Sequence, residues 1–203
     1  TINQGTAAQS PVWETWSSAN GGGTDDARVS DEHAFSLANS MKVTNNRDMI
    51  YRFNHLSTGA YTIEFNIFLH EQGYLNLQHD KGNNWAVDIY LQDDNEINYL
   101  NQDGAENGIV VGTYQNDEWM HFQFTVDMDQ DTVLFYVDGV MLHGAKFSNS
   151  VFEIPSIELD VVNFFGLSGF NGVTSSYFYI DDFHIDLAGL NSAKKVITQF
   201  IEK

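Results

Sequence analysis

Apolar and polar residues alternate with a period of two along most of this chain, the pattern of strands that bury one face. In Tyr61-Thr62-Ile63-Glu64-Phe65-Asn66-Ile67-Phe68-Leu69-His70 the odd positions form the core set. Leu75 and Leu77 face inward while Tyr74, Asn76 and Gln78 face out; Trp85, Val87, Ile89 and Leu91 oppose Ala86, Asp88, Tyr90 and Gln92. Met120, Phe122, Phe124 and Val126 oppose Trp119, His121, Gln123 and Thr125. The pattern predicts strands over 12–16, 40–44, 48–53, 60–70, 74–79, 85–92, 109–113, 119–127, 132–137, 161–167 and 177–186, enough for two sheets.

Asp138-Gly139, between Tyr136-Val137 and Val140-Met141, predicts a two-residue hairpin turn whose central residues both need positive φ. In the last strand Phe178 and Ile180 share one parity, whereas Phe183, Ile185 and Leu187 share the other, so a bulge is expected at Asp181-Asp182. Beyond it Leu190, Ala193, Val196, Ile197, Phe200 and Ile201 follow helical spacing behind Asn191 or Ser192. The expectation is an all-β chain: a two-sheet antiparallel jelly-roll β-sandwich over 1–187 and a short C-terminal helix or linker over 188–203.

Charge narrows the partners. Nine Lys and Arg stand against 28 Asp and Glu, a net charge of -19, so a phosphate backbone or an anionic membrane is repelled and nucleic acid is not expected. The chain has no cysteine, which removes disulfides and thiolate chemistry. No apolar run approaches the roughly 20 residues that cross a bilayer, so no membrane insertion is expected. The opening Thr1-Ile2-Asn3 has neither Met nor a signal-like apolar run, which suggests a processed or excised soluble segment.

The stretch Trp119-Met120-His121-Phe122-Gln123-Phe124-Thr125-Val126 leading to Leu134-Phe135-Tyr136-Val137-Asp138-Gly139 resembles a hairpin of the concanavalin A-like lectin/glucanase superfamily, which includes laminin-G-like domains. Trp13-Glu14-Thr15-Trp16 with Gly21-Gly22-Gly23, Gly73 to Gln78, Trp85 to Tyr90 and Tyr179-Ile180-Asp181-Asp182-Phe183 extend the resemblance over about residues 11 to 187. Together they are similar to accessory modules of secreted Bacteroidetes proteins, which implies a secreted or cell-surface setting. Glu158-Leu159-Asp160-Val161-Val162-Asn163 also resembles the E-x-D-x-x-E strand of the superfamily's glucanases, but Asn163 replaces the second Glu and cannot transfer its proton. The motif also follows the hairpin here, whereas in the glucanases it precedes it, so an enzyme is not expected.

Amide, carboxylate and aromatic groups on an outward sheet face suit sugar hydroxyls and pyranose C–H faces, which makes Asn66, Asn76, Gln78, Asp88, Tyr90 and His121 the candidate ligand-binding residues. An ordinary solvent-facing strand surface has a similar composition. Asp127-x-Asp129-x-Asp131 lacks the glycine of an EF-hand and is taken as an acidic β-turn. The resemblance implies structural calcium held by Asp25, Asp26 and one of Asp181 and Asp182, with carbonyls of Gly21 to Thr24; a bulge merely exposing two acids is the alternative. The sequence therefore points to a non-catalytic carbohydrate-binding module with a polysaccharide or glycan as partner. A structural or interaction domain beside a secreted enzyme, contacting neighbouring domains, is the alternative, and a laminarinase-like hydrolase using Glu158 and Asp160 is a third.

Overall fold

The computed structural model describes residues 12–17, 24–82, 84–100, 108–149, 157–168 and 174–188. The anticipated tail helix and the Gly21 to Gly23 carbonyls lie outside them. Among the described residues fourteen strands are formed: β1 Trp13–Glu14, β2 Arg28–Ser30, β3 Ser40–Thr44, β4 Asp48–Leu56, β5 Ala60–Leu69, β6 Gly73–Asp80 and β7 Asn84–Leu91. There follow β8 Glu96–Leu100, β9 Ile109–Thr113, β10 Trp119–Asp127, β11 Thr132–Val137, β12 Val140–Ala145, β13 Leu159–Phe165 and β14 Tyr177–Ala188. The first sheet has the order β1-β4-β13-β6-β7-β8-β9 and the second β12-β11-β10-β5-β14-β3-β2. Every strand pairing is antiparallel, and the two sheets enclose one core, so the chain is an all-β sandwich.

The core follows from the alternation. Tyr61, Ile63, Phe65, Ile67 and Leu69 of β5 meet Met120, Phe122, Phe124 and Val126 of β10 on the inner face, opposite Leu75, Leu77, Val87 and Ile89 of the first sheet. Aromatic rings dominate: Phe65 lies 4.8 Å from Phe164 at an interplanar angle of 87°, and Phe124 stacks on Phe135 at 4.8 Å. Each such ring contributes about 1.5–3 kcal/mol through apolar area removed from water.

Both local expectations hold. Asp138 (φ 50°) and Gly139 (φ 76°) make the hairpin turn between β11 and β12. The register of β14 against β5 shifts between Asp181 and His184, with Asp182 at φ 49°, so the bulge sits where the parity breaks. The acidic turn after β10 is equally local. Asp127 Oδ1 accepts the N–H groups of Asp129 and Gln130, and Asp131 accepts the Ser148 N–H and hydroxyl. The pattern missed β2, β8 and β12 as strands.

Candidate functional site

The six anticipated ligand residues divide between the two sheets. Asn76 and Gln78 on β6 and Asp88 and Tyr90 on β7 share the outer face of the first sheet, where Asn76 pairs with Asp88 and with Asn163, and Tyr74 with Tyr90. Asn66 on β5 and His121 on β10 are cross-strand partners on the outer face of the second sheet. No single face collects all six.

The first-sheet group is also buried, contrary to the solvent-facing expectation: Asp88 is 5% exposed and Gln78 0%. Its polar atoms form a chain. The Gly82 N–H donates to Gln78 Oε1 (2.9 Å), Gln78 Nε2 to Asn76 Oδ1 (2.8 Å), Asn76 Nδ2 to the Tyr74 hydroxyl (2.7 Å), and that hydroxyl to Asp88 Oδ1. Burial pushes the Asp88 carboxyl up to about 7 and raises the Tyr74 hydroxyl as well. These side chains satisfy one another, as buried polar groups must.

Four aspartates carried the calcium expectation, and their bonds take them to two places. Asp181 Oδ2 accepts the N–H groups of Phe35 (2.8 Å) and Ser36 (3.0 Å), its Oδ1 accepts the Asp182 N–H, and Ser36 Oγ donates to Asp182 Oδ1 (2.5 Å). A carboxylate whose oxygens are both taken by N–H donors is a loop clamp. Asp25 and Asp26 instead gather with Asp48, which the sequence did not single out: the Asp48 N–H donates to the Asp25 carbonyl, and Asp26 bridges to Asp48. Asp48 is fully buried, takes the Trp16 N–H on Oδ2, and has an Oδ1 with no hydrogen-bond partner among the described residues. Burial, followed by the charges of Asp25 and Asp26, raises its carboxyl to about 7.

The glucanase-like residues form an ion-pair network. Asp160 is buried, pairs with Arg52 at 2.7 Å and accepts the N–H groups of His55 and Lys81, while Glu158 Oε2 meets His55 Nδ1 at 2.7 Å. Donor atoms of His55, Asp80 and Asp160 lie within 4.8 Å of one another, but the Asp160 charge is already answered by Arg52. Asn163, buried on the outer face, stands apart from that pair and aligns with Asn76.

The outer face of the second sheet presents a different arrangement. Arg28, Lys42, Tyr179, Phe68 and Trp119 are consecutive cross-strand partners through β2, β3, β14, β5 and β10, so their side chains form one row across about 19 Å. The 31–39 loop lies over the middle of this row. His33 stacks on Phe68 at 4.3 Å, and Glu32 accepts from Lys42 Nζ (2.6 Å), the Tyr179 hydroxyl (2.6 Å) and the Tyr177 hydroxyl (2.8 Å). Those bonds, Lys42 first, hold the Glu32 carboxyl at about 2.

The two ends of the row stay open. At one, Phe35 is 54% exposed and meets Trp119 edge-on at 5.6 Å; Leu37 beside it in the loop is 82% exposed. The neighbouring row holds Asn66 and His121, with His121 Nε2 3.6 Å from Glu64 Oε2. At the other end Arg28, Val29, Ser30, Glu32, Lys42 and Arg47 line a shallow pocket. Reading the sequence alone missed this row because its members are adjacent only through strand order.

No family model matches the chain, and no curated protein matches it. Solved structures share its fold. A sialidase aligns over 92% of this chain and 18% of its own length, with a TM-score of 0.61 and 10% identity. The cellulose-induced protein Cip1 aligns over 79% of this chain and 84% of its own, with a TM-score of 0.55 and 17% identity. A double-cysteine variant of the alginate lyase A1-II' aligns over 78% of this chain and 84% of its own, with a TM-score of 0.56 and 8% identity. At these identities the likeness concerns the sandwich itself.

Proposed function

We propose that this domain binds a polysaccharide or glycan without cleaving it, as part of a secreted or cell-surface protein, and that the sugar lies along the outer face of the second sheet. The observation that carries this reading is the contact of exposed Phe35 with half-buried Trp119 at the end of a five-strand row, beside His121, whose cross-strand partner Asn66 is buried. A flat apolar ring beside an imidazole matches a pyranose, which offers C–H bonds on one face and hydroxyls at its rim. Fold neighbours named as a sialidase and an alginate lyase support a carbohydrate setting. The buried Asp160–Arg52 ion pair speaks against a glycosidase acid at that motif, because retaining and inverting hydrolysis both need two carboxyl groups flanking a bound sugar.

A polysaccharide and glycan array tests the proposal. Trp119→Ala weakens retention by about 1–3 kcal/mol, the range for removing a contact aromatic, with the fold intact by circular dichroism. A blank array with the unaltered domain refutes it. Exposed Val140 and Met141 next to the β11–β12 turn favour a second reading, a protein-interaction domain, which a blank array would promote.

Calcium belongs to the proposal in a revised form: the residues suited to hold it are Asp25, Asp26 and Asp48. The fit rests on the buried Asp48 Oδ1, an oxygen without a hydrogen-bond partner among the described residues beside two further carboxylates. Asp181 and Asp182 are left out of the ligand set, since Asp181 takes N–H donors on both oxygens and neither gathers with Asp48; Asp25, whose oxygens accept the Ser17 N–H (3.2 Å) and hydroxyl (2.6 Å), would exchange those bonds to join it.

A further inference from the structure

We infer that the glycan carries negative charge and that Arg28, supported by Arg47, receives its carboxylate or sulfate in the pocket at the β2–β3 end of the row. This rests on the proposed carbohydrate site and names the class of sugar it takes.

The cations of this chain are few, nine Lys and Arg against 28 acids, yet Arg28, Lys42 and Arg47 converge on one pocket. Arg28 and Lys42 stand directly opposite each other across β2 and β3, a like-charge placement that costs stability unless an anion answers it. Glu32 answers Lys42, using both of its oxygens. It has little left to offer a second cation, because the same carboxylate also accepts the hydroxyls of Tyr177 and Tyr179. Arg47 directs Nη1 to the Asp26 carbonyl at 3.3 Å. Arg28 is exposed and meets no hydrogen-bond or ion-pair partner among the described residues. A free guanidinium at the rim of a pocket presents a planar fork that fits a carboxylate or sulfate through two parallel hydrogen bonds.

The position matters as much as the charge. Arg28 occupies the first place of the row that ends at Trp119, so an extended chain that crosses over the 31–39 loop can rest a ring at the Phe35–Trp119 end and place an acidic substituent at Arg28. The overall charge of -19 repels polyanions at long range, so retention of one reports a local contact that salt weakens.

The test measures retention of the whole chain in gels containing dextran, dextran sulfate, polygalacturonate or polyglutamate, for the unaltered protein and for Arg28→Ala, Arg28→Lys and Trp119→Ala. Dextran sulfate or polygalacturonate retains the protein, and which of them does so identifies sulfate or carboxylate. Arg28→Ala weakens that retention about tenfold, the scale of a lost charge-assisted hydrogen bond, and Arg28→Lys restores part of it. Inorganic sulfate competes. Arg28 is exposed and faces Lys42, so its variants melt no lower than the parent. Neutral dextran retained as strongly as dextran sulfate, or an indifferent Arg28→Ala, overturns the anion assignment while a loss with Trp119→Ala leaves the carbohydrate site standing. Equal retention by polyglutamate overturns the assignment to a glycan. No retention on any of these polymers, together with a blank glycan array, removes both.

Discussion

Asp88→Asn changes how the stability of the domain depends on pH, and the size of the change follows from one buried carboxyl. Asp88 ends the hydrogen-bonded chain on the outer face of the first sheet, and burial raises its pKa from 3.8 to about 7. The folded protein therefore holds a proton that the unfolded chain has released over the window between about pH 4 and pH 7. The resulting contribution to stability is fully present below about pH 4 and is lost as the pH rises through 7. A shift of about three units corresponds to roughly 4 kcal/mol at pH 8 relative to acid. Asparagine has nearly the same shape, stays neutral, and keeps an oxygen for the Tyr74 hydroxyl, so the variant lacks this dependence. Urea unfolding of both proteins, followed by tryptophan fluorescence with chelator present, isolates the effect because Asp48 is common to both. Between pH 5 and pH 8 the stability of Asp88→Asn relative to the parent should improve by roughly 2 to 3 kcal/mol. A relative change below about 0.5 kcal/mol, or one of opposite sign, refutes the reasoning.

Two other outcomes follow from sites already described. With calcium at about 100 times its dissociation constant the domain gains about 2.7 kcal/mol over chelator, seen as a rise of several degrees in the thermal midpoint. Asp48→Asn abolishes that gain; an unaltered midpoint in the parent would exclude the calcium site. Gly166→Ala should leave little soluble folded protein, because an added Cβ would stand 1.8 Å from the Thr44 carbonyl oxygen, between segments joined by the Gly166 and Asn46 backbone N–H groups. Normal yield and unfolding cooperativity of that variant would show that the 44–47 turn can move aside.

The sandwich was legible because its core strands bury one face, which writes a period of two into β5, β6, β7 and β10. The bulge was legible for the same reason: Phe178 and Ile180 enter the core on one parity and Phe183 on the other. Strands β2 and β12 were not, since three residues in Arg28–Ser30 hold too little pattern and Val140 and Met141 are exposed. β8 alternates in burial, but its five residues directly follow Asp93-Asp94-Asn95 and read as loop.

The site was legible only in part. Periodicity separates two faces of a strand without saying which outer face is covered, so Asn76, Gln78 and Asp88 looked solvated although they are buried. It also leaves strand order undetermined, and Arg28, Lys42, Tyr179, Phe68 and Trp119 become neighbours only through pairings between distant segments. Asp48 offered no signal as an isolated acid; its place beside Asp25 and Asp26 arises from the bridge between the segment before β2 and the first residue of β4.

The Asp181–Asp182 bulge has a consequence for how the chain acquires its binding surface in time. It fastens Phe35 and Ser36 across 146 positions, and the strand that carries it lies between β5 and β3 in the second sheet. A nascent chain released from its N-terminus onward can pair β5 with β10 and β11 early, but β2 and β3 have no route to that sheet until β14 arrives. The cationic end and the aromatic end of the row therefore meet only once β14 has been made, and a chain cut before β14 would present two halves of a surface with nothing between them.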